Sequence, residues 1–151
     1  MNTLDLTNIK RLEEQLNVLE NQVRNKIIYS SLVKGGKVLV DATKQTLTTK
    51  MGYSATKAVK KPNGKGYYKP LVDGVRIGGD KIYCEVNVNI LGHGYLRWFE
   101  KGTNIRKTSK GYNRGSIQAI NFFFSARQSS YNKMINTITE NMDKQIQKIM
   151  K

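Results

Sequence analysis

The strongest constraint on the fold lies near the start of the chain. There Ile9, Leu12, Leu16, Leu19, Val23 and Ile27 step by three or four residues, with charged and polar side chains between them. That spacing lays one apolar stripe along an α-helix and demands a partner surface for it. Thr7 or Asn8 is placed to cap the start by accepting a backbone N–H bond, and Lys26 and Lys34 fall later, toward the negative end of the helix dipole. Apolar content continues through Val38, Val40, Ala42 and Leu47, but Gly35-Gly36 interrupts it. Two glycines inside a helix cost about 1 kcal/mol each relative to alanine, so propensity alone predicts a break or hinge there. The competing expectation is a helix that runs through, with the glycines letting another backbone pack closely against it.

From Met51 to Pro70 the composition turns to Lys, Gly and Tyr around KKPNGKGYYKP. With no apolar face to bury, this reads as a long surface loop that a partner would order. A hairpin follows: Leu71 to Ile77 and Lys81 to Ile90 flank Gly78-Gly79-Asp80, and Ile82, Cys84, Val86 and Val88 alternate with Tyr83, Glu85, Asn87 and Asn89. Cys84 is thereby expected on the apolar face as a small buried hydrophobe. Leu91-Gly92-His93-Gly94 reads as a turn, and NIRKTSKGYNRGS, residues 104–116, as a second basic loop. From about Ile117 to Lys151 the spacing of Phe122, Phe123, Ala126, Met134, Ile138, Met142, Ile146 and Ile149 predicts a helical region, irregular around Ser129-Ser130. The expected architecture is a single α+β domain over 1–151. A long N-terminal helical region (about 8–50) and a C-terminal helix pack on one face of a small antiparallel sheet (hairpin 71–90), with two long basic loops at 51–70 and 104–116.

The chain carries 26 Lys+Arg against 11 Asp+Glu, a net +15. No acid lies between Asp41 and Asp73 or between Glu100 and Glu140, and these two windows supply 14 of the 15 net charges. The plain reading is a pair of solvated loops; the sharper one is an electropositive surface for a polyanion or an acidic protein. Candidate contacts are Lys57, Lys60, Lys61, Lys65, Arg106, Lys107 and Arg114. Tyr53, Tyr67, Tyr68 and Tyr112 lie among them, which suits base stacking and protein interfaces equally.

One cysteine excludes an internal disulfide, and with one histidine it excludes a Cys/His zinc site. No run approaches the ~20 apolar residues of a membrane span, and MNTLDLTNIKRLEEQ has no apolar stretch resembling a signal peptide. The chain is therefore expected to be made and kept in the cytoplasm of its producer, without a membrane partner. His93 is the sole base near neutrality for nucleophilic catalysis, and it sits between two glycines. Asp73, Asp80, Glu85 and Glu100 could form the carboxylate cluster of a nuclease, although no motif supports one. Gly35-Gly36-Lys37-Val38 lacks the earlier glycine and the following Ser or Thr of a phosphate loop, and no dinucleotide fingerprint occurs. No catalytic, cofactor-binding or metal-binding residue is assigned, and a non-enzymatic role is expected.

In YLRWFEKGT, Tyr95, Glu100, Gly102 and Thr103 fall in the pattern Tyr, four residues, Glu-x-Gly-Thr. This resembles the signature of the minor tail-component proteins of tailed bacteriophages, which act at the head–tail neck and are often called tail-completion or head–tail joining proteins. Physically, Tyr95, Trp98 and Phe99 are expected to anchor a short helical turn on the core. Gly102 is expected to end that turn in the left-handed conformation, and Thr103 to start the next extended segment. A second segment, AINFFFSA, resembles the family's Ala-x-Pro-Phe-Leu-x-Pro-Ala at Ala119, Phe122 and Ala126, with Phe123 in place of leucine. Asn121 and Ser125 occupy the two proline positions, and Asn121 is expected to cap the helix instead. The family's Pro-x-x-Thr-Gly survives in part at Pro70 to Gly74, without the threonine. The family's long helix before its hairpin favours Gly35-Gly36 as a close-packing point.

The resemblance implies a ring-forming structural protein of the virion, made in the host bacterial cytoplasm and located at the neck or top of the tail. Its implied partners are further copies of itself and neighbouring neck, connector or tail proteins, with contact to DNA in the lumen left open. Two alternatives from other classes stand beside it. One is a free nucleic-acid-binding protein using the two basic loops; the other is a small metal-dependent nuclease.

Overall fold

The computed structural model describes residues 6–17, 21–61, 63–90 and 95–151. The expected turn at 91–94, with His93, and Leu19 of the apolar stripe lie outside the described residues. The elements in chain order are α1 (Leu6–Asn17), α2 (Asn21–Met51), α3 (Tyr53–Thr56), β1 (Val59–Lys60), β2 (Tyr67–Tyr68), a 3-10 turn at Leu71–Gly74, β3 (Arg76–Asp80), β4 (Glu85–Asn89), α4 (Leu96–Lys101) and α5 (Phe122–Ile149). The chain is α+β, with long helices packed against a small antiparallel sheet, β3 paired with β4. Two compact units divide it. The first comprises Met1–Val38, Ile77–Asn87 and Tyr131–Lys151, and the second Leu39–Arg76 and Val88–Ser130.

The core of the first unit is the predicted stripe meeting α5. Leu12, Leu16 and Ile27 are buried with Ile146, and Val23, Ile28 and Met142 pack around them. Helix α1 already begins at Leu6, so Thr7 and Asn8 lie within it rather than at its start. Gly35-Gly36 does not break α2, which runs unbroken for 31 residues. A Cβ at Gly35 would fall 2.4 Å from Ile138 Cγ1 on α5; one at Gly36 would fall 2.6 Å from Ile77 Cδ1 on β3 and 3.0 Å from Val86 Cγ1 on β4. The diglycine is where a second helix and the sheet both press on α2. Close packing of these half-buried isoleucines and the valine offsets part of the ~2 kcal/mol that the pair costs the helix. Beside it runs a polar layer: the Asn141 amide donates to Ser31 Oγ at 2.8 Å, the Gln145 amide to Ser30 Oγ at 2.8 Å, and Lys34 to Asn141 Oδ1. Ser31 and Asn141 are buried, so a slip of one helix along the other would strand polar groups, which fixes the register.

The hairpin turn sits later than predicted. Gly78, Gly79 and Asp80 belong to β3, and Lys81 to Cys84 make the turn. Glycine is needed at 79 because the strands approach there, a Cβ being only 2.3 Å from the Glu85 carbonyl oxygen. Asp80 Oδ1 then accepts the Ile82 N–H at 2.7 Å and fixes the turn. The predicted alternation survives only from Glu85 onward. Ile82 and Tyr83 are exposed, and Cys84 is half-buried in the turn at φ 52°, not on an apolar strand face. Leu71–Gly74 is likewise a 3-10 turn where a strand was expected.

In the second unit the buried apolar residues are Leu39, Val40, Leu47, Ala55, Val75, Leu96, Phe122 and Ala126. Thr43, buried among the apolar side chains of α2, satisfies its hydroxyl by donating to the Leu39 carbonyl at 2.7 Å. Helix α5 starts at Phe122, not 117, and Ser129-Ser130 do not disturb it. Both hydroxyls donate to the Ala126 carbonyl, at 3.1 and 2.7 Å, so neither leaves a polar group unpaired.

Candidate functional site

The segment Tyr95 to Thr103 works as a clamp on the start of α5. Glu100, at the end of the short helix α4, accepts the Phe123 N–H at Oε2 (2.8 Å) and the Phe124 N–H at Oε1 (3.1 Å). Those two donors stand at the start of α5, where no helical carbonyl can reach them. A carboxylate there satisfies both and lies at the positive end of the helix dipole. The capping expected of Asn121 is therefore done by Glu100, 23 and 24 positions before the two N–H groups it accepts, while Asn121 takes a positive φ of 46° at the corner.

The neighbouring motif residues bind the approach to that corner. Gly102 ends α4 at φ 72°, ψ −178°, an extended positive-φ conformation rather than the left-handed helical one expected, and open essentially to glycine alone. A Cβ there would also lie 2.9 Å from the Ile117 oxygen and 3.0 Å from the Ala119 nitrogen. Thr103 brackets Ile117, donating its N–H to the Ile117 oxygen and accepting the Ile117 N–H at Oγ1, both at 2.9 Å. Phe99 accepts the Ile120 N–H at 2.8 Å. From the other side Lys50, at the end of α2, donates to the Ile120 carbonyl and to Ser125 Oγ. Phe122 and Ala126 are buried, while Ala119, Phe99 and Phe123 are half-buried.

The aromatic anchor is not the one expected. Trp98 is 41% exposed and Tyr95 43%, and the two rings meet edge to face at 5.2 Å on the surface. Leu96, fully buried, is the side chain that ties α4 to the core. On a helix of six residues only one narrow face can point inward, and Leu96 occupies it. Leu96, Lys50, Ile117 and Ile120 were not singled out from the sequence. Glu100 had a legible signal, being the only acid between Glu85 and Glu140.

Both basic loops carry structure of their own. In the first, β1 and β2 pair antiparallel in the register Val59↔Tyr68, Lys60↔Tyr67, closed by a turn in which the Lys61 N–H donates to the Gly66 oxygen at 3.0 Å. Lys57 sits with its ammonium 5.3 Å from the Tyr53 ring centre. Lys60 and Lys65 are exposed, and Lys61 is half-buried. The second loop is a two-stranded arm. Its bonds run from the Arg106 N–H to the Gly115 oxygen (3.0 Å), from the Arg114 N–H to the Arg106 oxygen (2.7 Å) and from the Thr108 N–H to the Tyr112 oxygen (2.8 Å), with Lys107 bridged to Asn113. Main-chain pairing thus orders both segments where composition alone predicted none.

Charge follows the division into units. The second unit holds 15 Lys+Arg against 3 Asp+Glu, a net +12, whereas the first holds 11 against 8, a net +3. Of the four acids considered for a nuclease, Glu100 is committed to capping and Asp80 to its turn. Among the described residues no group of three His, Cys, Asp or Glu is placed to hold a metal ion, and no helix is long and apolar enough to cross a membrane. The chain matches no protein-family model, no curated protein and no solved structure.

Proposed function

We propose that the chain is a structural protein of a tailed-phage virion, a ring-forming subunit at the head–tail neck or top of the tail. The observation that carries this reading is the clamp. The residues that resemble the tail-component signature, Glu100, Gly102 and Thr103, perform linked tasks that depend on their spacing: capping α5, passing its incoming strand at close range, and bracketing Ile117. A coincidental match has no reason to coincide with one built unit. The order of elements supports the same reading, with a long helix, a hairpin, the clamp, an extended arm and a closing helix.

In this role the chain performs no reaction. Its helices and sheet form the body, and the basic arm of residues 51–70 reaches toward neighbouring copies and adjoining neck, connector or tail proteins, while the arm of residues 103–117 is left to meet them or DNA in the lumen. The competing reading is a free nucleic-acid-binding protein that uses the same arms without a closed assembly. Native mass measurement and negative-stain electron microscopy of the purified chain separate the two. A closed ring of one stoichiometry is the expected result. A monomer at every concentration, also absent from phage particles, overturns the proposal.

A further inference from the structure

The arm of residues 103–117 combines three properties that a solvated loop does not need. It is a narrow two-armed ribbon held by main-chain bonds around one isolated bridge, Lys107 to Asn113, and pinned at its base by Thr103 and Ile117. Arg106 pairs through its main chain with Arg114 and Gly115, so two arginines stand opposite each other across the strands, with Lys107 next to them and Lys110 near the tip. All four cations are exposed, and among the described residues none of their side chains has a hydrogen bond or ion pair. Like charges directly opposite on paired strands are destabilising. No acid occurs between Lys101 and Thr139 to relieve them, so the ribbon carries an unmet demand for an anion.

The chemistry of the arm distinguishes the kinds of anion. The buried centre of a protein interface is depleted in charged residues. Between Asn104 and Ser116 the only large apolar side chains are Ile105 and Tyr112, both well exposed, and only Thr108 is even half-buried. Nucleic-acid interfaces are polar and strongly positive, and a two-stranded ribbon is narrow enough for the major groove of a duplex.

We propose that this ribbon is a phosphate-contacting arm for duplex nucleic acid, with Arg106, Lys107, Lys110 and Arg114 each meeting a backbone phosphate without reading sequence. Four such contacts give weak, salt-labile attachment, of the kind that lets a protein slide along DNA rather than seize it.

The inference stands apart from the ring. A ring that does not bind DNA refutes this and leaves the virion reading intact, and a DNA-binding monomer does the reverse. The test is fluorescence anisotropy of the full chain with a labelled mixed-sequence DNA duplex between about 50 and 200 mM NaCl. Arg106→Gln with Arg114→Gln is expected to reduce the slope of log affinity against log salt by about 1.8, so that affinity falls ~12-fold less across this range than in the wild type. A control pair, Lys10→Gln with Lys26→Gln in the first unit, leaves the slope unchanged. All variants keep the wild-type circular dichroism spectrum, since every substituted side chain is exposed. An equal loss of slope in the control, an unchanged slope in the arginine pair, or binding to polyglutamate but not to DNA would each overturn the proposal.

Discussion

Removal of the Glu100 carboxylate should weaken the fold through the start of α5. Two N–H groups, Phe123 at 2.8 Å and Phe124 at 3.1 Å, lose their acceptor in Glu100→Ala. Loss of a cap costs about 0.5–2 kcal/mol, and loss of a negative charge at a helix N-terminus about 0.3–1 kcal/mol. Glu100 is half-buried, and it serves both donors at once, so the expected cost is about 2 kcal/mol. For a chain of 151 residues that corresponds to a fall in Tm of about 4–8 °C. Glu100→Gln keeps one acceptor oxygen, opposes the second N–H with an amide donor and loses the charge, so its Tm falls between those of the alanine variant and the wild type. Circular dichroism melts give the Tm, and hydrogen exchange at the Phe123 and Phe124 amides gives the local effect. If Glu100→Ala leaves both the Tm and the exchange of these two amides unchanged, the long-range cap is not what holds α5 in place.

Gly102→Ala meets a forbidden backbone conformation and two main-chain atoms within 3.0 Å, and urea titration should show a loss of about 2 kcal/mol or more. Leu96→Ala, at a fully buried site, should cost about 2–5 kcal/mol, whereas Trp98→Ala, at a surface 41% exposed, should cost less than about 1.5 kcal/mol; melts of the pair rank the two anchors. Gly35→Ala gains about 1 kcal/mol of helix propensity but drives a methyl group onto Ile138 at a cost of about 1–3 kcal/mol, for a net loss of up to about 2 kcal/mol. Adding Ile138→Ala should make the Gly35 substitution less costly, and a double-mutant cycle measures that coupling.

Periodicity read correctly along the middle of the helix stripes, whereas Ile9 and Ile149 at their ends are exposed. Leu12, Leu16 and Ile27 are buried because a stripe at helical spacing has nowhere else to go. The glycines show why other segments were harder. Gly35-Gly36 looks like a breaker and Gly78-Gly79 looks like a turn, yet Gly35, Gly36 and Gly79 are points of close approach, and the atoms that press on them, Ile138 and the Glu85 carbonyl among them, are distant in sequence or depend on the strand register. The site divides in the same way. Glu100, Gly102 and Thr103 stood out by spacing, but their tasks involve residues 14 to 24 positions away that carry no local mark. Tyr95, Trp98 and Phe99 read as the aromatic anchor on the core, while the fully buried position on so short a helix belongs to Leu96. The basic loops were legible as charge and not as structure, since a ribbon held by main-chain bonds leaves no hydrophobic pattern to read.

The proposed place of the chain is in a virion. Electron microscopy of phage particles labelled with an antibody to this chain tests it directly. Label confined to the junction of head and tail is expected, with particles lacking the chain showing heads and tails unjoined or tails incomplete. Particles that assemble fully and carry no label at the neck or tail would contradict it.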